Sequence, residues 1–196
     1  MTSTLDRSTK AAAGAKTTGA KATGAKAAGA GAKTTRRQNA ERGFTASKKL
    51  TDHLQSVLVD LVELHLQGKQ AHWNVVGKNF RDLHLQLDEI IDDAREFSDV
   101  VAERLRALHA VPDGRSDTVA ATTTLPEYPA GEVDTAETVD LVTARLEAVV
   151  GTMRDVHDEV DEEDPTSADI LHAIIEKLEQ HAWMVSAENR TVSTKR

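Results

Sequence analysis

The sequence predicts an all-α fold, a four-helix bundle in which one long connection crosses between its two ends. Apolar residues recur every three or four positions through four segments, as on the buried face of an amphipathic helix. With two Trp, one Tyr and three Phe in 196 residues, aromatic side chains are too few for a typical all-β core. The connection over residues 112–135 contains three prolines and has the length of a crossover between parallel helices.

The four predicted helices cover residues 47–75, 79–108, 136–162 and 165–191. Gly68 interrupts the apolar stripe of the first, which indicates a kink or a place where another backbone comes close. Residue types that start or stop helices support these bounds: Thr45 or Ser47, Asn79, Thr135 and Pro165 at the N-termini, and Gly77 and Pro112 at the first two C-termini.

Composition narrows the class of protein. The chain has no cysteine, which excludes disulfides and thiolate metal sites. No apolar run reaches the length of about 18 residues that a membrane span needs, and the N-terminus has no apolar signal-peptide core. We therefore expect a cytoplasmic protein that does not insert into a membrane.

Charge divides the chain into a basic arm and an acidic body. Residues 1–49 have eleven Lys and Arg against two Asp and Glu, whereas residues 50–196 have thirteen against thirty, so the net charges are +9 and −17. Residues 1–43 repeat Gly-Ala-Lys, with no large apolar residue between Leu5 and Phe44. Such a segment cannot bury a core, and we predict that it is a disordered tail.

The tail is a candidate DNA-binding segment. Spaced positive charges on a flexible chain can neutralise phosphates without reading base sequence. A spacer or solubility tail is the simpler alternative, and a transit peptide is a second, although the segment lacks an amphipathic apolar face. The cations that we expect to contact DNA are Lys16, Lys21, Lys26, Lys33, Arg36 and Arg37.

Two pairs of potential metal ligands occur at helical spacing in the second predicted helix. His84 and Asp88 are four residues apart, as are Asp99 and Glu103, so each pair lies on one helix face. Asp88 and Asp99 are roughly 16 Å apart along the axis, too far to share an ion within one chain. A second copy packed antiparallel would place His84 opposite Glu103 and Asp88 opposite Asp99, giving two equivalent sites roughly 22 Å apart.

His72, at the end of the preceding helix, could add a ligand across the short turn. Mixed imidazole and carboxylate ligands suit iron, zinc or manganese better than calcium or magnesium. The alternative is a charged face at a dimer contact or in solvent, because acidic residues four apart are common on helices. His53 and His65 are expected at the surface or at an interface, and Trp73 in core or interface packing or beside the metal.

These residues resemble the motifs of the Dps family, the ferritin-like DNA-binding proteins from starved cells. The match is Lys-x-Ala-His-Trp-Asn-x-x-Gly at residues 69–77, Phe-x-x-Leu-His-x-x-Leu-Asp at 80–88 and Asp-x-x-Ala-Glu-Arg at 99–104. The resemblance implies a ferritin-like domain over residues 44–196, with a short helix near 116–123. It also implies a ferroxidase centre for iron between two-fold-related chains of a hollow dodecamer.

At that centre, the resemblance implies that His72, His84 and Asp88 of one chain face Asp99 and Glu103 of the other. The imidazoles would be neutral nitrogen ligands. Asp88 and Glu103 would be the main oxygen ligands, with Asp99 a ligand or a hydrogen-bond acceptor. Fe²⁺ would pass electrons to hydrogen peroxide, or to dioxygen, and ferric oxide would mineralise inside the particle.

An acidic run separates the third and fourth predicted helices. The simpler interpretation is an exposed turn, whereas the resemblance favours an acidic ring around a three-fold pore, which would concentrate cations at its mouth. The candidate pore residues are Asp161, Glu163, Asp164 and Asp169.

The expected function is therefore iron oxidation and storage by a homo-oligomer that binds DNA in the nucleoid. One alternative is an architectural nucleoid protein in which the metal-ligand residues only stabilise a dimer. A ferritin with a di-iron site inside each subunit is a second alternative. That site needs Glu-x-x-His on two helices, and Glu179-Gln-His181 does not have this spacing.

Overall fold

The structure is a computed structural model that describes residues 43–192, and these form a four-helix bundle. The long helices are α1 (Lys48–Asn74), α2 (Phe80–Ala107), α4 (Thr135–Glu163) and α5 (Pro165–Ser186), with the short α3 (Ser116–Thr122) between α2 and α4 and a 3₁₀ turn (Ala187–Asn189) after α5. The predicted all-α bundle with its long crossover is confirmed. Residues 1–42, most of the predicted tail, lie outside the described residues.

The helices pack as two hairpins, α1 with α2 and α4 with α5, and α1 also packs along α4. Their buried faces are the predicted apolar stripes, with Leu54, Leu87, Leu146 and Leu171 at most 1% exposed. At 25 cal/mol per Å² of apolar area, such burial is the main stabilising contribution to a bundle of this kind. None of the described helices combines the length and apolar character that crossing a bilayer requires.

Gly68 marks a close approach of α1 to α2. A Cβ atom at this position would lie 2.8 Å from Cγ1 of Ile91, closer than carbon atoms pack. Helix α1 continues through it, and the close neighbour is a side chain, where a kink or the close approach of another backbone was predicted. The close approach brings the C-terminal end of α1 against the start of α2, where the candidate ligands lie.

A buried carboxylate fixes the crossover. Asp60 of α1 is fully buried, and its oxygens accept hydrogen bonds from the hydroxyls of Thr123, Thr124 and Thr152 and from the Thr124 amide, at 2.7–2.9 Å. The connection thus runs from α3, which ends at Thr122, across α1 to α4.

The ends of the helices differ from prediction in three places. Val75–Val76 pairs in parallel with Val133–Asp134 as a two-residue bridge (β1 and β2), so Gly77 follows a strand and is not a helix cap. Asp134, and not Thr135, caps α4 by accepting from the amides of Ala136 and Glu137. Asn79 precedes α2 in the left-handed region and makes no side-chain cap. Ser47 caps α1 as predicted.

Candidate metal centre

Two imidazoles lie close together at the junction between the end of α1 and the start of α2. His72 lies in the last turn of α1 and His84 near the start of α2, and the short link between the helices returns the chain antiparallel. Their rings stack with centroids 3.6 Å apart and an angle of 24° between the planes. The His72 side chain is 11% exposed, so the pair lies at the edge of the bundle, partly shielded from water.

Each of these histidine side chains makes a hydrogen bond to the backbone of the other histidine. Nδ1 of His72 donates to the carbonyl oxygen of His84 at 3.1 Å, and Nδ1 of His84 donates to the carbonyl oxygen of His72 at 3.0 Å. A carbonyl accepts only from a protonated nitrogen, which fixes both rings with the hydrogen on Nδ1 in the neutral form. The lone pair that a metal ion needs is therefore on Nε2 of each ring.

Asp88 lies one helical turn after His84 and completes a group of three. One possible ligand atom from each of His72, His84 and Asp88 falls within 4.8 Å of the others. Nζ of Lys69 donates to Oδ1 of Asp88 at 2.8 Å, and this hydrogen bond is the main cause that lowers the pKa of the carboxyl. Asp88 is therefore an anion at neutral pH, with a second oxygen beyond the one that Lys69 contacts.

Asp99 and Glu103 lie outside this group. Both are exposed, and they follow Asp88 on the same helix, Asp99 by about 16 Å and Glu103 by about 22 Å along its axis. Asp99 lies in an open groove of about 660 Å³ whose lining includes His65 and Asp92. Within one chain, the structure thus brings three of the five predicted ligands together and leaves the other two on the outer surface of α2.

A comparison with known proteins identifies the family. A family model described as a ferritin-like domain matches residues 51–193. DNA protection during starvation protein 2 of Deinococcus radiodurans is 36% identical over 140 residues, which are 71% of this chain and 58% of that protein. The crystal structure of Dps92 from Deinococcus radiodurans is 35% identical at a TM-score of 0.72, covering 75% of this chain and 89% of that one. The chain belongs to the Dps family of ferritin-like proteins.

A second Dps structure matches this chain over nearly the whole length of that structure. Dps from Microbacterium arborescens in the high iron form is 30% identical at a TM-score of 0.70, and the match covers 75% of this chain and 99% of that one. The bundle with its crossover is therefore the Dps fold, and the family recognised from the three motifs is confirmed.

Sequence reasoning missed two contacts beside the candidate centre. Lys69 belongs to the recognised motif, but its ion pair with Asp88 crosses between helices and no local spacing reveals it. The ring of Phe80 lies 5.0 Å from that of His84, so it covers one side of the imidazole. Trp73, expected in core or interface packing or beside the metal, is 71% exposed in the single chain and so does not pack in its core.

His53 and His65, the two histidines predicted at the surface or at an interface, have different surroundings from each other. Nε2 of His53 lies 2.5 Å from a carboxylate oxygen of Glu159, at the opposite end of α1 from the candidate centre. His65 lines the groove with Asp99, and burial is the main cause that lowers its pKa, with Arg95 and Lys69 adding to the effect.

The acidic turn of this Dps chain holds two kinds of carboxylate. Asp161 and Asp169 are exposed, as a pore-lining role requires. Glu163 accepts from the amide and hydroxyl of Ser47 at 2.7 and 2.6 Å. Asp164 is 7% exposed and pairs with Arg104, so it does not fit the predicted ring, because its charge is already neutralised inside the bundle.

Proposed function

We propose that this Dps chain oxidises Fe²⁺ at a centre shared between two chains and stores the product as ferric mineral inside a hollow oligomer. The observation that carries the proposal is the group of His72, His84 and Asp88. Its two imidazoles have Nδ1 bonded to a backbone carbonyl, which leaves Nε2 for a metal ion, and an oxygen of its carboxylate lies within 4.8 Å of a nitrogen of each ring.

The donor set fits iron as a substrate. Neutral imidazole nitrogens with a carboxylate favour first-row transition metals over Mg²⁺ and Ca²⁺, which prefer oxygen alone. Three ligands from one chain leave positions for further ligands, and a substrate ion must also be able to leave. Lys69 offsets part of the carboxylate charge, and its displacement from Asp88 on metal binding would weaken retention of the ion.

The remaining ligands come from the partner chain in this proposal. Asp99 and Glu103 are exposed on α2, and their spacing from Asp88 and His84 is symmetric about the middle of the helix. Antiparallel pairing of two α2 helices therefore places the acidic pair of one chain beside the histidine group of the other. The open groove at Asp99 leaves room on the surface for such a contact.

Hydrogen peroxide is the oxidant that we propose, with dioxygen as the alternative. Peroxide accepts two electrons, so each molecule oxidises two Fe²⁺ ions to Fe³⁺ and leaves two hydroxide ions. Both reagents of hydroxyl-radical chemistry are thereby removed. The relative from Microbacterium arborescens in a high iron form supports iron as the metal, and the family supports a dodecamer as the container.

DNA binding is the second part of the proposal. The body of residues 50–196 has a net charge of −17 and repels phosphate, so attraction must come from the basic arm. We assign it to the tail cations outside the described residues: Lys16, Lys21, Lys26, Lys33, Arg36 and Arg37. A cytoplasmic, nucleoid-associated protein is the corresponding location.

The test is anaerobic addition of Fe²⁺ and then peroxide to the full-length protein, with residual Fe²⁺, particle mass and bound iron measured. We expect rapid oxidation and iron-loaded particles in the wild type and in His53→Ala, and loss of both in His84→Ala at unchanged particle size. Equal oxidation by the His84 variant would reject the centre. Absence of oxidation in the wild type would favour an architectural nucleoid protein.

A further inference from the structure

A second pair of histidines lies on the other hairpin of the bundle. His157 of α4 and His172 of α5 approach through their Nε2 atoms, which are 2.6 Å apart, with ring centroids at 4.5 Å and an angle of 31° between the planes. They belong to neither α1 nor α2, so this pair is separate from the candidate iron centre.

A carboxylate stands behind each ring. Oδ1 of Asp158 lies 3.1 Å from Nδ1 of His157, and Oδ1 of Asp169 lies 3.8 Å from Nδ1 of His172. A carboxylate on Nδ1 favours a hydrogen there and directs the lone pair to Nε2, as carboxylates do behind metal-binding histidines. The 3.8 Å separation between Asp169 and His172 is too long for a hydrogen bond, so that carboxylate does not set the tautomer of His172. With its hydrogen on Nε2, His172 donates to Nε2 of His157. With its hydrogen on Nδ1, two lone pairs face each other across a gap that suits a cation.

Two glutamates line the groove around the pair. The groove has a volume of about 380 Å³ and is lined by His157, His172, Glu176, Glu179 and Arg154. Glu179 is held in an ion pair by Arg154 at one edge. Glu176 follows His172 by one helical turn, so its carboxylate is on the same face of α5 as the imidazole.

We propose that His157 and His172 form a second binding site, for a divalent transition-metal ion such as Zn²⁺ or Fe²⁺, with Glu176 as the third ligand. Zinc–nitrogen bonds of about 2.0–2.1 Å in a tetrahedral site separate two ligand nitrogens by roughly 3.3 Å. The rings must therefore open by less than about 1 Å from their present contact. Partial exposure of both side chains, 23% and 59%, permits this movement.

The chemistry selects the class of ion. Two imidazoles with one carboxylate bind Zn²⁺ more tightly than Fe²⁺ by the Irving–Williams order and discriminate against Mg²⁺. Exposed Asp158 and Asp169 lie beside the pair and raise the local concentration of cations. The competing interpretation is a proton shared by the two rings, with no metal bound at micromolar concentration.

The experiment uses full-length protein that carries His72→Ala and His84→Ala, so that the first centre contributes no metal binding. Zn²⁺ is titrated calorimetrically at pH 7.5, and Co²⁺ is followed by its visible absorption. Adding His157→Ala and His172→Ala should lower the stoichiometry by about one ion per chain. Where residual binding at this hairpin is still detected, its affinity should be at least tenfold weaker. Adding His53→Ala, which removes a histidine–carboxylate pair without a second imidazole, should change neither.

Unchanged stoichiometry and affinity in the His157 and His172 variant would overturn the proposal and leave the shared proton. A measurement on the unaltered protein guards against misfolding of the variants: Zn²⁺ should protect both histidines from diethyl pyrocarbonate, read by peptide mass spectrometry, while His53 stays reactive. Equal modification with and without Zn²⁺ would also overturn it. Iron oxidation is not measured, so failure here is distinct from failure of the proposed ferroxidase.

Discussion

Arg104 ties the end of α2 to the turn between α4 and α5 through Asp164. Its Nη2 atom lies 2.6 Å from a carboxylate oxygen of Asp164, and its Nε donates to the hydroxyl of Ser167 at 3.0 Å. The Asp164 amide closes the last turn of α4, and its side chain is 10% exposed. A residue that the family resemblance predicts to line a pore thus joins the two hairpins instead.

We expect Asp164→Asn to destabilise the folded chain by about 1.5–3 kcal/mol, because it removes a hydrogen-bonded charge and leaves the guanidinium of Arg104 without its anion. Both side chains are largely buried, so solvent screens the pair little. Urea unfolding at pH 7 and matched protein concentration measures the change. Asp158→Asn, on a fully exposed side chain, is the control and should have no measurable effect. Equal midpoints for the two variants would contradict a stabilising role.

The same pair predicts a dependence on pH. Burial alone would raise the pKa of Asp164, but hydrogen bonds from Ser167 and Arg104 outweigh it, and the pKa lies below its usual value of 3.8. A carboxyl with a lowered pKa stabilises the fold above its unfolded pKa, and this contribution disappears as the pH falls through the folded pKa.

The stability difference between the wild type and Asp164→Asn should therefore be constant from pH 7 to 5 and shrink below about pH 4. Thermal unfolding midpoints of both proteins across this range measure it. A difference that stays constant down to pH 3 would show that the stabilisation does not come from the ionised carboxylate.

Sequence reasoning found what periodicity and local motifs encode. The buried stripes were predictable because one face of each helix must be apolar, and His84 with Asp88 was found because ligands on one helix recur at its period. The Lys69–Asp88 ion pair, the Asp60 hydrogen bonds and the Arg104–Asp164 pair were not predictable. They join residues far apart in sequence, whose meeting depends on how the helices pack.

The N-cap of α4 shows a second limit of prediction from sequence. Asp134 and Thr135 are adjacent and are both good N-cap residues, so propensity alone cannot choose between them. The two-residue bridge of Val75–Val76 with Val133–Asp134 decides it, because that pairing places Asp134 at the end of a strand. Two residues are too few to show the alternation that predicts a strand.

The proposed shared centre predicts complementation between two inactive variants. His84→Ala and Glu103→Ala should each abolish fast Fe²⁺ oxidation, since each removes a ligand from every site. In a mixed two-fold dimer, one site has both lesions and the other has neither. Co-refolded mixtures should therefore recover part of the wild-type rate, measured as loss of Fe²⁺ after peroxide addition.

The matched control mixes His84→Ala with Asp88→Ala, because both lesions are in the group contributed by one chain. A dimer of these two chains has one lesion in each site and should stay inactive. Recovery in neither mixture would reject the inter-chain arrangement, and recovery in both would show that the loss was not caused by the ligands.

The acidic turn predicts a salt-dependent rate of iron uptake. Asp161→Asn with Asp169→Asn removes the two exposed carboxylates of the predicted pore and should slow uptake at low salt, because the lost field no longer concentrates cations. The effect should fade above about 0.1 M salt, where the screening length is about 10 Å. Glu147→Gln with Asp155→Asn makes the same charge change elsewhere on α4 and should leave uptake unaltered. Equal rates for both variants would favour a solvent-exposed turn.

Removal of the arm should separate DNA binding from iron chemistry. Deleting residues 1–43 leaves all five proposed ligands and should abolish DNA retardation in a gel-shift assay while peroxide-dependent Fe²⁺ oxidation continues. The reason is charge: the remaining body is acidic, and the weak phosphate contacts of the arms of one particle act together in the intact protein.

A full-length variant with Lys16, Lys21, Lys26 and Lys33 changed to Gln keeps the length of the arm and removes only charge. It should bind DNA more weakly at every sequence tested, and the slope of log affinity against log salt should fall by about 0.9 for each lost phosphate contact. A spacer role predicts that this variant binds as the wild type does. Retardation of DNA by the truncated protein equal to that of the full-length protein would place the binding surface on the body, with Lys195 and Arg196 as the next candidates.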